Sequence, residues 1–248
     1  MTNDDGYSAY GFRALIDIAK DYGYVIAVAP FKGQSGMSHA ITVNVPLRLY
    51  KIEEADTHVI YACTGTPVDC VKLAINRILP RRPDLLLSGV NHGSNSSASV
   101  IYSGTLAAAR EGSINRIPSV GFSFLDYSLS PDFSAVRNIA GKIIRQVFDK
   151  AMPDWFCLNV NIPNAKESEI KGIKLCRQTK GFWKEEFEKR TDPHGMDYYW
   201  LTGTFENLEP DAEDSDEWAL RNNFVSVVPV TFDCTAFDAF SILSDWKL

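Results

Sequence analysis

The sequence predicts an α/β protein whose central sheet is mostly parallel, and three observations carry that prediction. Continuous apolar runs such as Asp84-Leu85-Leu86-Leu87-Ser88-Gly89-Val90 read as strands covered on both faces. Polar, glycine-broken segments recur where such strands end. Helical patterns come next, so that strand, loop and helix alternate in the order that right-handed crossovers produce.

Phe12, Leu15, Ile16 and Ala19 fall at i, i+3, i+4 and i+7, a helical stripe after Gly11. Gly23 closes this helix before a buried strand from Tyr24 to Pro30. Residues 31–39 are a loop of small residues. Residues 41–52 are β-rich and partly alternating, and a short strand follows at 58–62. Thr66-Pro67-Val68-Asp69 places a capping residue, a proline at the first helical position and an acid at the third, so a helix should run to about Leu79, where Pro80 and Pro83 close it. The strand at 84–90 comes next, and residues 117–122 resemble it. Between them Ser103-Gly104-Thr105 opens the alanine-rich helix 106–111. Val136, Ala140, Ile143, Val147 and Ala151 form the stripe of a helix at 131–151, and residues 155–163 return to the strand pattern.

Beyond residue 163 the character changes. Segments 182–190 and 198–205 flank the turn Asp192-Pro193-His194-Gly195 and predict a long aromatic hairpin bearing Trp183, Phe187, Tyr198, Tyr199 and Trp200. Such a hairpin either covers its own core or packs on a partner chain, because two isolated strands are marginal in water. Acidic residues 209–217 read as a solvated loop, and Thr235 as the cap of a terminal amphipathic helix. The expected organisation is one domain over 1–248: a Rossmann-like three-layer core at 1–163, then a hairpin arm and C-terminal helix at 164–248.

A chain of 248 residues with 45% hydrophobic and 12% aromatic content can bury a sizeable core. The net charge of -6 argues against binding a nucleic acid polymer, which clustered Lys and Arg would hold, so any phosphate site is local. Cys63, Cys70, Cys157, Cys176 and Cys234 form no Cys-x-x-Cys pair and sit in apolar surroundings, which predicts reduced core thiols in a cytoplasmic protein. Neither a leader nor an apolar run of spanning length is visible, so no membrane is expected as a partner.

The chemistry gathers where strands should end. Adjacent ionised Asp4 and Asp5, before Gly6, repel each other and suit a shared cation, although Asn-Asp-Asp-Gly is also ordinary turn chemistry. Ser35 lies on the flexible loop Gly33 to Ser38. Asn91 and Asn95 offer carboxamides around a glycine turn, and each also suits a plain turn role. Ser103 and Thr105 open a helix whose free amides can cradle an anion, while Ser103 equally suits an ordinary cap.

Taken in order, these segments resemble the SurE family of survival proteins, metal-dependent nucleotidases. The marks are Asn3 to Gly6, Gln34-Ser35-Gly36, Gly65 to Cys70, Gly89 to Asn95, Ser103 to Thr105 and Asn159-Val160-Asn161-Ile162-Pro163, and the similarity covers essentially the whole chain. The resemblance implies a phosphomonoesterase that hydrolyses nucleoside 5'-monophosphates. One divalent cation per subunit, Mg, Mn or Ca, would be bound by Asp4, Asp5, Ser35 and Asn91, and Asn95, Ser103, Gly104 and Thr105 would hold the substrate phosphate. Asp4 and Asp5 would be catalytic, with Asp4 as the base for water or as the carrier of a covalent phosphate. His39 or His92 can protonate the leaving group, though a lone loop histidine is more often a surface residue. Self-association to a dimer or tetramer, with the helix from Thr235 exchanged, is also implied.

In the family an apolar strand precedes Asn-Asp-Asp-Gly at the centre of the sheet; here Met1 and Thr2 precede it. The expectation is a shortened central strand that positions the acids less firmly. The alternatives are therefore a broad acid phosphatase or exopolyphosphatase, or a catalytically weakened nucleotide-binding oligomer.

Overall fold

In the computed structural model of the chain, which describes residues 1–128, 131–150, 152–184, 186–244 and 246, helices and strands alternate as expected. Helix α1 (Tyr10–Ala19) buries Phe12, Leu15, Ile16 and Ala19 and leads into strand β1 (Val25–Pro30). Strand β3 (His58–Cys63) runs parallel to β1, and the fully exposed β2 (Leu49–Ala55) pairs antiparallel outside it. β2 thus begins later than the alternation at 41–52 suggested. The backbone of Thr42 bonds instead to Asp69 Oδ1 at 3.0 Å, which draws that stretch away from the sheet.

Helix α2 (Pro67–Leu73) has the expected capping box: Asp69 N donates to Thr66 Oγ1 at 3.1 Å, and Thr66 N to Asp69 Oδ2 at 2.9 Å. Its α-geometry stops short of Leu79. Asn76 Nδ2 bonds the Lys72 carbonyl at 2.7 Å, competing for a helical acceptor, and a π-helical turn (Ala74–Ile78) follows.

The main sheet continues through β4 (Leu86–His92), β5 (Ser119–Phe124) and β6 (Phe156–Ile162), all parallel. Between them lie the short α3 (Ser99–Tyr102), α4 (Gly104–Ile114) and α5 (Ser134–Asp149). α5 buries Val136, Ala140 and Ile143, whereas Ala151, the expected end of its stripe, lies outside the described residues. Helices α1 and α5 pack together, as do α2 and α4, and these pairs form the outer layers of the three-layer α/β fold.

Two strands were not anticipated. β12 (Phe224–Thr231) runs antiparallel on β6 and parallel to the edge strand β7 (Gly172–Leu175), so the far side of the sheet is mixed. Within the stretch read as an acidic loop, the turn 212–215 gives way to α6 (Asp216–Arg221), capped by Ser215, with Asp216 wholly buried. The aromatic arm is as expected: β8 (Gly181–Lys184) pairs with β11 (Thr204–Asn207), and β9 (Phe187–Thr191) with β10 (Asp197–Leu201). The terminal helix is present but starts later than expected: a 3₁₀ turn (Phe237–Ala239) leads into the single turn α7 (Phe240–Leu243), and Thr235 caps neither among the described residues. Phe237, Phe240 and Ile242 stay exposed, and a short helix with no packed face lacks its main source of stability. Cys234, expected in the core, is exposed, while the other four cysteines are buried. Among the described residues no helix is long and apolar enough to cross a membrane.

Two residues join the halves of the sheet. Met1 N donates to Ile26 O at 2.6 Å and Val28 N to Met1 O at 2.9 Å; Thr2 N donates to Leu87 O at 3.1 Å and Gly89 N to Thr2 O at 3.0 Å. Thr2 therefore bridges β4 in parallel while Met1 pairs with β1, so these residues stand between the two strands at the centre of the sheet. Below Met1 the slot continues as a cleft of about 510 Å³ between Val25-Ile26 and Leu85-Leu87, walled by Ala19, Ile144, Val71 and Ile75.

Candidate active site

The central strand delivers both acids to the carboxyl edge of the sheet. Asn3 Nδ2 bonds the Gly6 carbonyl at 2.9 Å, and Gly6 at φ 100° turns the chain back, a conformation open to glycine. Asp4 is buried and Asp5 half-buried. Thr105 Oγ1 donates to Asp4 Oδ1 at 2.5 Å, and a Cβ placed on Gly104 would lie 2.8 Å from Asp4 Cβ and 3.0 Å from Oδ2. Gly104 is therefore the residue that lets the N-terminus of α4 approach this carboxylate. Asp5 Oδ2 accepts from His92 N at 3.2 Å, so the end of β4 holds the second acid.

Burial raises the pKa of Asp4, partly offset by its bonds to Thr105 and Gly104. For Asp5, burial first and the neighbouring Asp4 charge second push the value up to about 6. Neither carboxylate has a lysine or arginine ion-pair partner among the described residues. This is an uncompensated pair of anions.

The loops bring oxygen donors around that pair. Gln34 N donates to Asp4 O at 2.7 Å, and a Cβ placed on Gly33 would lie 4.0 and 3.7 Å from the carbonyl oxygens of Asp4 and Asp5, so exposed Ser35 stands one residue from a contact with the acids. The same loop is tied to the α3–α4 region by Ser38 Oγ on Ile101 O at 2.7 Å and by His39 Nε2 on Glu111 Oε2 at 3.1 Å. His39 is thus engaged in anchoring. His92 is exposed, its ring edge-on to Tyr127 at 5.8 Å. Asn91 Nδ2 donates to Gly93 O at 2.8 Å, and its Oδ1 accepts no hydrogen bond among the described residues. Ser103 Oγ accepts from Leu106 N at 3.0 Å as the helix cap, and its own proton remains free to donate.

Asp4, Asp5, Asn91 and the Ser35 loop therefore meet at one sheet edge, with Thr105 and Gly104 on Asp4. Asn95 stands on the same loop as Asn91 and bonds to β5 and β6, with no direct bond to the acids. Among the described residues no cluster of three or more His, Cys, Asp or Glu occurs, so a cation here would rest on two carboxylates plus neutral oxygens. That donor set fits Mg, Mn or Ca rather than a thiophilic ion, and the missing countercharge is what such an ion supplies.

Several supporting residues carry no local motif. Glu111, 3% exposed, joins His39 to Lys72 Nζ at 2.8 Å. Asp216 accepts from Ser97 N, Thr179 N and Thr179 Oγ1 at 2.9, 3.0 and 2.6 Å. Asn159 and Asn161 alternate on β6 and face the Asn95 loop; two amides at period two inside a buried strand were the available signal.

A family profile described as survival protein SurE matches residues 1–185. A Flavobacterium psychrophilum protein named 5'-nucleotidase SurE is 54% identical over 249 aligned residues, spanning 100% of this chain and 96% of the relative. One of the same name from Cytophaga hutchinsonii is 47% identical over the same shares. The crystal structure of a SurE protein from Aquifex aeolicus superposes with a TM-score of 0.83 at 38% identity, over 98% of this chain and 96% of that one.

The acid pair sets a pH dependence. The folded-state pKa of Asp5, about 6, lies above its ordinary 3.8, so its contribution to cation-free stability is full below about pH 3.8 and is lost as pH rises through about 6. A cation takes the ionised form, so its affinity moves the other way. Calorimetric titration with Mn should show binding weakening about tenfold per pH unit below 6, the slope of one competing proton, and flattening in Asp5→Asn.

Proposed function

The chain belongs to the survival protein SurE family, and on that premise we propose that it is a divalent-metal-dependent phosphomonoesterase that hydrolyses nucleoside 5'-monophosphates to nucleoside and phosphate. The observation that carries the chemistry is the buried Asp4-Asp5 pair, without a countercharge, against the N-terminus of α4 and the end of β4. A broad phosphatase, an exopolyphosphatase or a weakened binding oligomer is not favoured, since relatives named 5'-nucleotidase match the whole chain.

Asp4, Asp5, Ser35 and Asn91 would hold one Mg, Mn or Ca ion. When bound, the cation polarises the phosphoryl group and eases deprotonation of the attacking water. The chain's own residues do the rest. Asp4 takes the water proton: burial raises its basicity, and the Thr105 hydroxyl fixes its orientation. The water oxygen bonds to phosphorus as the ester P–O bond breaks, and the departing nucleoside oxygen takes up a proton. Ser103 O–H and the Asn95 carboxamide would meet the phosphate oxygens, while Thr105 and Gly104 act through Asp4, to which the Thr105 hydroxyl and both backbone amides are already committed.

The exposed arm supports self-association to a dimer or tetramer. Phe187, Tyr199 and Trp200 are 65, 59 and 58% exposed, and Phe237 and Phe240 at the C-terminal end are 67 and 65% exposed, more apolar surface than a monomer commonly shows.

Phosphate release from several nucleoside monophosphates should be abolished by EDTA and restored by Mg or Mn. Asp5→Asn should lower kcat/KM by on the order of 10²–10³, the loss typical of removing a group that stabilises transition-state charge. Turnover unaffected by chelation would reject the metal assignment. Sedimentation should give a species of at least twice 27.7 kDa, and a variant with Phe187, Tyr199 and Trp200 changed to Ser should shift toward the monomer.

A further inference from the structure

Asn95 lies in a loop with no strand beside it, yet both its backbone groups are bonded by side chains of β6. Asn95 N donates to Asn161 Oδ1 at 2.8 Å, and Asn159 Nδ2 donates to Asn95 O at 2.8 Å. Asn161 Nδ2 then donates to Asn159 Oδ1 at 2.9 Å, which fixes the orientation of both carboxamides. The side chain of Asn95 is held too, since its Nδ2 donates to Ser123 Oγ on β5 at 2.8 Å. Asn159, Asn161 and Ser123 are all 0% exposed and Asn95 is 6% exposed.

Three polar side chains inside the main sheet are costly where an apolar set would pack without needing partners. Satisfying one buried peptide unit accounts for Asn159 and Asn161 alone. It does not account for Ser123, whose hydroxyl bonds the Asn95 carboxamide and no other group among the described residues. The far end of the loop is anchored separately, by Ser97 N on Asp216 Oδ2 at 2.9 Å and by Ser96 Oγ on Glu217, so the short β5–β6 bonds act on Asn95, with a longer one at 3.5 Å from Ser94 Oγ to Asn161 Oδ1 beside them. After the bond to Ser123, one proton of Nδ2 is uncommitted among the described residues.

We infer that Asn159, Asn161 and Ser123 are positioning residues for phosphate recognition, holding the Asn95 carboxamide so that its free amide proton meets the substrate's phosphoryl oxygen. The inference rests on the assignment of Asn95 to phosphate made above. It adds a rigid support running from the middle of the sheet to the anion.

The test is calorimetric binding of inorganic phosphate to the full-length, Mn-loaded protein, with Mn affinity and Tm measured alongside. Asn161→Leu should weaken phosphate binding about tenfold, the effect of one well-aligned hydrogen bond to an anion, with Mn affinity unchanged. In an Asn95→Ala background the same substitution should change phosphate affinity by less than about twofold, because coupled residues are not additive. Ser123→Ala, which leaves the backbone clamp intact, should weaken phosphate binding about threefold at near-native Tm, and it decides the matter if Asn161→Leu fails to fold. Equal losses in both backgrounds, or no loss in Ser123→Ala, would overturn the positioning role. Phosphate affinity unaltered by Asn95→Ala alone would instead overturn the assignment of Asn95, and the positioning role with it.

Discussion

Two carboxylates held side by side, one buried and the other half-buried, are the constraint around which this fold is arranged. Burial and mutual repulsion both oppose their ionisation, and the raised pKa of each is the measure of that opposition. The chain offsets it only in part. Thr105 and the amides at the start of α4 meet Asp4, a single backbone amide meets Asp5, and no basic side chain is spent on either among the described residues. A site left short of positive charge in this way is built to receive it from outside.

The surrounding structure makes that shortage tolerable. Gly104 brings the helix end within contact of Asp4 because no side chain intervenes. Glu111, buried further along the same helix, ties the loop bearing Ser35 back through His39 and also accepts Lys72 from α2. Loop, helix and acids are thereby mutually referenced. The hydroxyls that looked from the sequence like a phosphate cradle divide their work: Ser103 caps the helix, and Thr105 serves the acid beside the anion.

Legibility in the sequence followed the range of the interactions involved. The capping box at Thr66 to Asp69, the glycine stop at Gly23 and the apolar runs of β1, β4 and β5 are local signals, and each element stands where its residues place it within a few positions. Elements that depend on distant partners were read poorly. β12 owes its place to pairing with β6 and β7, which nothing within its own eight residues specifies. α7 lacks a face to pack against, so amphipathic pattern alone did not extend it. At the site, the acids and carboxamides were visible as clustered polar residues at strand ends. Asn159 and Asn161 were visible as a motif whose work was not, and Glu111 and Asp216 were opaque because each acts across 37 to 119 positions of sequence.

The bridge that Met1 and Thr2 make between the halves of the sheet has a mechanical consequence. Three strands lie on one side and five on the other, and the backbone bonds of Met1 and Thr2 run between them. Asp4 and Asp5 follow this seam immediately in the chain. An ion gripping the acids together with Asn91 on β4 and the loop after β1 would rivet the two slabs to each other. Amide protons along the seam, those of Val28 and Gly89 first, would then exchange with solvent more slowly in the metal-loaded protein than in the bare one.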